Sequence, residues 1–119
     1  MSDEMLPKMT REMAAMRRNL VPETMQAWLE FNKAVFKDGA LPSVTKELIA
    51  VAVAHTTQCA YCIRSHTKAA LKKGATETEL MEAIWVAAEM RAGGAYAHSA
   101  VALSEMVGHR HPESGDGEE

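Results

Sequence analysis

Long stretches of helix-forming residues, separated by glycine, proline and short polar turns, are the feature that most constrains the fold of this chain. Ala, Met, Leu, Glu and Lys recur along these stretches, and all five residue types favour helices. Clusters of the β-branched and aromatic residues that strands prefer are scarce, and aromatic residues make up only 5% of the sequence. The pattern therefore predicts an all-α fold with five or six helices and no strand.

Start and stop signals give the approximate limits of these helices. The predicted helices cover residues 6–19, 22–38, 43–55, 59–73 and 76–107. A capping box, Thr76 with Glu79, begins the last of them. Gly93 and Gly94 interrupt its pattern, which predicts either a kink or the close approach of another backbone. We expect residues 1–108 to form a single domain and the polar residues 109–119 to form a disordered tail.

Charge and hydropathy exclude several classes of protein. The 13 basic and 16 acidic residues give a formal net charge of −3, without the basic face that nucleic-acid binding needs. The acidic start of the chain is unlike a secretory signal. The longest strongly apolar run, Leu48 to Ala54, is too short to span a bilayer. We therefore expect a cytoplasmic protein with no nucleic-acid partner and no membrane association. In the cytoplasm, paired cysteines are usually catalytic or metal-binding.

The chemistry of the chain centres on its only two cysteines, in Cys59-Ala60-Tyr61-Cys62, and on His66, which follows four residues later. Residues three and four apart on a helix share a face, so Cys59, Cys62 and His66 form one stripe. Cys59 lies at the expected helix start, where unpaired N–H groups and the helix dipole favour a thiolate. His66 can take the proton of Cys62 or pair with its thiolate. The pattern favours a redox-active dithiol.

Glu47 is the second unusual residue, because it begins a helix that is otherwise apolar on every side. A carboxylate that enters a core needs a partner or a proton. If this helix packs against the cysteine helix, Glu47 faces Cys62 and His66. Burial would then raise the pKa of Glu47 and a nearby imidazolium would lower it, which suits a proton shuttle. His55, on the same helix face as Glu47, and Tyr61, between the cysteines, are accessory candidates.

A metal-binding or scaffold module is an alternative to the redox enzyme. Cys59, Cys62 and His66 would supply three ligands to zinc, and His55 or Glu47 would have to supply the fourth. Three ligands from one short helical stretch make an awkward geometry. We therefore predict no metal site and keep zinc binding as the weaker interpretation.

The stretch from Leu41 to about Ser99 resembles the AhpD-like branch of the carboxymuconolactone decarboxylase family. The matching residues are Leu41-Pro42, Glu47-Leu48-Ile49-Ala50, Cys59-Ala60-Tyr61-Cys62, His66, Lys73-Gly74-Ala75-Thr76 and Glu82-Ala83. The resemblance implies a compact orthogonal helical bundle that assembles into trimers or hexamers. It also implies a peroxidase or thiol–disulfide oxidoreductase, an antioxidant activity like that of peroxiredoxins, with no tightly bound cofactor. Reducing equivalents would come from an external thiol protein, with a lipoyl group as the candidate donor.

The resemblance also assigns roles to residues. Glu47 and His66 resemble the proton relay, Cys62 the cysteine that attacks peroxide, and Cys59 the partner that closes the disulfide. The position of Cys59 at the helix start instead favours Cys59 as the more acidic thiol. The two assignments are compatible if Cys59 exchanges with the reductant while the relay activates Cys62. The chain departs from the best-known peroxidases at Tyr61, where they carry histidine, and it lacks their duplicated helical unit. The decarboxylase branch of the family lacks the cysteine pair. The alternative function, a decarboxylase-type enzyme acting on a small organic acid, therefore rests on fold analogy alone.

Overall fold

The computed structural model describes residues 6–112, and within this range it contains five α-helices and no strand. The helices are α1 (Arg11–Leu20), α2 (Pro22–Phe36), α3 (Ser43–Thr57), α4 (Ala60–Lys72) and α5 (Glu77–Arg110). The all-α prediction is confirmed. None of the helices in the described part of the chain is both long and apolar enough to cross a membrane.

The chain divides into two compact units, of which the first ends at Pro42 and the second begins at Ser43. The single domain expected over residues 1–108 stays a prediction. In the first unit, α1 packs against α2. The hydroxyl of Thr10 accepts the N–H of Met13 at 3.1 Å and caps α1, so this helix begins later than the sequence predicts. Neither α1 nor α2 contains a buried residue.

In the second unit, α3 packs against both α4 and α5. The buried apolar residues of the described chain are mostly small, and all of them belong to this unit: Val51, Ala54, Ala70, Ala75, Leu80 and Ala87. Small side chains let helix axes approach closely. The apolar run of α3 is not buried all round, because Ile49 and Val53 are about half exposed, at 47% and 51%.

The turn between α4 and α5 follows the local signals in the sequence. Gly74 has a φ of 103°, in the left-handed region that glycine adopts without a steric penalty. The N–H of Ala75 donates to the carbonyl of Ala70 at 2.9 Å, which completes a Schellman motif at the end of α4. Thr76 and Glu79 then form the predicted capping box at the start of α5.

The fifth helix runs without a break through Gly93 and Gly94 to Arg110. The helix therefore continues through the glycine pair, and the kink or close approach of another backbone there stays a prediction. Glycine keeps its backbone N–H, unlike proline, and its cost of about 1 kcal/mol relative to alanine is small beside the strong helix formers on either side. The helix includes His109 and Arg110, the first two residues of the predicted tail. Residues 113–119 of that tail lie outside the described residues.

Candidate functional site

The turn between α3 and α4 determines where Cys59 lies. Gln58 has a φ of 60°, the left-handed conformation in which many helices end. The N–H of Cys59 donates to the carbonyl of Ala54 at 3.1 Å, as in a Schellman motif. The Arg91 guanidinium, from α5, donates to the carbonyl of Thr56 at 2.8 Å. These bonds end α3 and make Cys59 the N-cap of α4.

Cys59 and Cys62 are joined by a disulfide across the first turn of α4, with Cα atoms 5.3 Å apart. Both residues are half-buried. The Cys59 sulfur also accepts the backbone N–H of Cys62 at 3.2 Å. This hydrogen bond and the N-terminal end of the helix dipole favour negative charge on the Cys59 sulfur after reduction. The structure thus joins the two cysteines that the sequence predicts to act as a pair.

The Glu47 carboxylate lies between two donors from α4. Glu47 is 4% exposed. Its Oε1 accepts from His66 Nδ1 at 2.7 Å, and its Oε2 accepts from Lys73 Nζ at 2.8 Å. Burial raises the pKa of Glu47, but the hydrogen bonds and charges of Lys73 and His66 outweigh burial and hold this pKa below its ordinary value. Glu47 is therefore ionised at neutral pH.

The contact with Glu47 fixes the orientation and tautomer of His66. A carboxylate can only accept hydrogen bonds, so Nδ1 of His66 carries the hydrogen that it donates to Oε1. In the neutral ring, Nε2 then carries the lone pair. His66 follows Cys62 by one helical turn, on the same face of α4. The arrangement can take up and release a proton at Nε2 while Nδ1 stays bound to Glu47.

Lys73 belongs to this site, although it is not among the site residues that the sequence predicts. It is the C-cap of α4, and its Nζ donates to Ser43 Oγ at 2.7 Å as well as to Glu47 Oε2 at 2.8 Å. No short pattern in the sequence identifies this lysine, because its contact with Glu47 depends on how the end of α4 lies against the start of α3.

The two accessory candidates have different surroundings. The ring of His55 donates from Nδ1 to the carbonyl of Val51 at 2.7 Å, on its own helix. Tyr61 lies in the first turn of α4 and is 45% exposed. The roles proposed for His55 and Tyr61 stay predictions.

The zinc alternative receives no support from the geometry. Among residues 6–112, no group of three His, Cys, Asp or Glu side chains is placed to hold a metal ion. Cys59 and Cys62 are bonded to each other, and only their thiolates would bind a metal. Glu47, a candidate fourth ligand, has both oxygens in hydrogen bonds to α4.

Comparison with known proteins assigns the chain to a family. The sequence profile of the carboxymuconolactone decarboxylase family matches residues 22–105. The chain belongs to this family. The matched range includes the whole of α3 and α4 and most of α5. Within the family, the disulfide-linked Cys59–Cys62 pair fits the AhpD-like branch, as the sequence resemblance predicts.

The chain is also similar to individual proteins, one of which is described as a member of this family. Uncharacterized protein 4 in the cox locus of Paracoccus denitrificans is 61% identical over 80 residues, which cover 67% of this chain and 72% of that protein. A crystal structure from Methanobacterium thermoautotrophicum matches with a TM-score of 0.66 and 38% identity, over 70% of this chain and 95% of that one. The apo structure of a carboxymuconolactone decarboxylase family protein from Legionella pneumophila matches with a TM-score of 0.63 and 39% identity, over 78% and 82% of the two chains.

Proposed function

We propose that this protein is a dithiol–disulfide oxidoreductase that reduces peroxides through Cys59 and Cys62. The observation that carries the proposal is the disulfide at the start of α4, one helical turn from a histidine whose ring is bonded to the buried Glu47. A dithiol that can close a disulfide supplies two electrons, and the His66–Glu47 pair can move the protons that accompany them. Membership of the carboxymuconolactone decarboxylase family, with the cysteine pair of its AhpD-like branch, supports the same function.

In the oxidative half of the reaction, His66 takes the proton of the Cys62 thiol. The thiolate attacks one oxygen of the hydroperoxide, the O–O bond breaks, and the leaving alkoxide takes the proton from His66 and becomes an alcohol. Cys62 is now a sulfenic acid. The Cys59 thiol releases its proton to solvent and, as a thiolate, attacks the Cys62 sulfur; the S–O bond breaks, and the released hydroxide takes up a proton from solvent and becomes water. The peroxide is thereby reduced by two electrons, and the two thiols are oxidised to the observed disulfide.

In the reductive half, an external dithiol reopens the disulfide. One donor thiolate attacks the Cys59 sulfur and releases the Cys62 thiolate, and the second donor thiolate then releases Cys59 and closes the disulfide of the donor. The resemblance to AhpD-like proteins favours a protein-bound lipoyl group as this donor. No tightly bound cofactor is needed for either half, because the cysteines themselves carry the electrons.

The first test measures how fast the reduced protein loses both thiols to one equivalent of hydrogen peroxide, with intact mass as the readout. We expect fast disulfide formation that slows about a hundredfold in His66→Ala, the lower end of the usual contribution of a general base. Lys68→Ala is the matched control, because Lys68 is exposed on the same helix two residues after His66.

Single cysteine variants test the order of events. In Cys59→Ser, we expect Cys62 to accumulate as a sulfenic acid that gains one oxygen in mass, whereas Cys62→Ser should give no rapid oxidation. If the wild-type protein oxidises no faster than a free thiol and His66→Ala has no effect, the peroxidase proposal is refuted.

We also propose that the protein acts as a homo-oligomer, a trimer or a hexamer as the resemblance implies. Every residue of α5 from Gly94 to Arg110 is exposed in the single chain, including Tyr96 at 82% and Val101 at 62%. Single chains rarely leave large apolar surfaces in water. Sedimentation velocity tests the proposal, and a monomer at micromolar concentration would contradict it.

A further inference from the structure

We propose that Lys73 is a positioning residue of this site: its positive charge, in contact with the Glu47 carboxylate, opposes the uptake of a further proton by the Glu47–His66 pair, so that His66 can accept the proton of Cys62. The first part of the proposal concerns the Lys73–Glu47–His66 contacts themselves. Only the use of the neutral histidine in thiol oxidation depends on the proposed function.

The contacts form a ladder between one face of α3 and one face of α4. On α3, Ser43 and Glu47 are four residues apart, so their side chains lie on the same face. His66 of α4 and Lys73 at its C-cap are seven residues apart, about two helical turns, so they too lie on the same side of the helix. Lys73 Nζ bridges Ser43 Oγ and Glu47 Oε2, while His66 takes Oε1. Each carboxylate oxygen therefore has its own donor from α4.

The backbone at the end of α4 places Lys73 for this role. Lys73 N–H donates to the carbonyls of Ala69 and Ala70 at 3.0 and 3.2 Å, and Gly74 turns the chain immediately afterwards with a φ of 103°. The lysine therefore lies at a fixed helix end rather than on a loose segment. Its side chain is 37% exposed, against 5% for the side chain of Glu47, so it brings charge to the carboxylate from the edge of the buried region.

The charges at the site explain why the lysine matters. The ionised Glu47 and the positive Lys73 neutralise each other, so a neutral His66 leaves the buried group without net charge. Adding a proton to the Glu47–His66 pair would then make the site positive. Without Lys73, the same pair would carry a buried negative charge, which is unfavourable. The pair would then take up a proton more readily, and a protonated His66 cannot accept one from Cys62.

Within the described part of the chain, the charges that lower the pKa of Glu47 are those of Lys73 and His66. Among the described residues, the side chains that hydrogen-bond to Glu47 both come from α4. The helix α5 also packs against α3, but its Arg91 donates to the carbonyl of Thr56 at the far end of α3. Lys73 therefore provides the positive charge in direct contact with this carboxylate.

The test is an NMR titration of the His66 ring in the intact protein, with the signal assigned by its absence in His66→Ala. We expect the midpoint of proton uptake by the Glu47–His66 pair to rise by about one pH unit in Lys73→Met, the lower part of the range for a charged neighbour because Lys73 is partly exposed. Lys73→Gln can still donate hydrogen bonds but carries no charge, and it should show the same rise. It also carries the test if Lys73→Met does not fold.

Two further variants separate charge from general disturbance. Lys73→Arg restores the positive charge and should return the midpoint towards the wild-type value. Lys72→Met removes the neighbouring exposed lysine of α4 and should leave the midpoint unchanged. An unchanged midpoint in folded Lys73→Met or Lys73→Gln would overturn the proposal.

The pH dependence of thiol oxidation by hydrogen peroxide links the titration to chemistry. The acid limb of this profile should move to higher pH by the same interval in both neutral variants, which gives about tenfold slower oxidation on that limb. The titration uses no peroxide, so it decides the role of Lys73 even if the protein proves not to be a peroxidase. Conversely, rapid oxidation with an unchanged titration would refute the role of Lys73 and leave the proposed function standing.

Discussion

Replacing Glu47 by glutamine tests whether the buried carboxylate stabilises the α3–α4 interface. Glutamine keeps one oxygen, which can accept from Lys73, but its NH₂ group can only donate, so His66 has to change tautomer to keep a hydrogen bond to it. The variant therefore loses about one charge-assisted hydrogen bond, worth roughly 1.5–3 kcal/mol, together with the ion pair. Because Lys73 is partly exposed and can turn to water, the ion pair adds little. We expect the free energy of unfolding to fall by about 2 kcal/mol near pH 7.

The pH dependence of this loss identifies the carboxylate as its source. The pKa of Glu47 is lowered in the folded protein, so its stabilisation is fully present above the ordinary glutamate pKa of about 4.3. This stabilisation is lost as the pH falls through the lowered folded pKa. Glutamine does not titrate. The difference between wild type and Glu47→Gln should therefore narrow below about pH 4, by at most about 1.4 kcal/mol per pH unit.

Urea denaturation at about pH 7, 5 and 3.5 measures both effects. Wild type and variant are compared at one protein concentration, because subunit association would contribute to the apparent stability. Glu82→Gln is the matched control, since Glu82 is an exposed glutamate of α5. A Glu47→Gln variant that stays within about 0.5 kcal/mol of wild type near pH 7, or a difference that does not change with pH, would contradict a stabilising role of the carboxylate.

Three further substitutions test the local signals that shape the second unit, each by urea denaturation. Thr76→Ala removes the hydroxyl that accepts Glu79 N–H at 3.0 Å and should lower the free energy of unfolding by about 1 kcal/mol; an unchanged value would show that the cap is not needed. Gly74→Ala should lower it by about 1–2 kcal/mol through backbone strain alone, because a Cβ there meets no atom within 4 Å; a stabilised variant would contradict this. Gly94→Ala, where a Cβ also meets no atom within 4 Å, should raise stability by up to about 1 kcal/mol, and a loss would mean that another chain approaches α5 at this glycine.

Helix positions were predictable where a local signal acts alone. The capping box at Thr76 and the left-handed Gly74 are determined by bonds within a few residues, and both lie where the sequence places them. The start of α1 was predicted too early, because the residues before the Thr10 cap carry no opposing signal. The pattern of the last predicted helix is interrupted at Gly93 and Gly94, yet α5 continues through both. There, a local glycine penalty competes with the cooperativity of a long helix, and the sequence pattern does not show which is larger.

The residues of the candidate site likewise differ in how far the sequence predicts their contacts. Cys59, Cys62 and His66 lie within two turns of one helix, so their spacing alone predicts that they share a face. The contact of Glu47 with His66 depended on the condition that α3 packs against α4, and the structure meets that condition. Lys73 lies 26 residues from Glu47. Its contribution depends on the register of the two helices, which no short pattern encodes.

That register is therefore the property on which the proposed chemistry depends most. The cysteines, His66 and Lys73 all belong to α4 or its caps, and the group that couples His66 to Lys73 is a single carboxylate on α3. A slip of one helical turn, about 5.4 Å, would separate both oxygens of Glu47 from their donors at once. Val51 of α3 and Ala70 of α4, both 0% exposed, lie in the core that opposes such a slip. Substitutions that enlarge Ala70 should therefore disturb proton transfer at His66 although this alanine carries no reactive group.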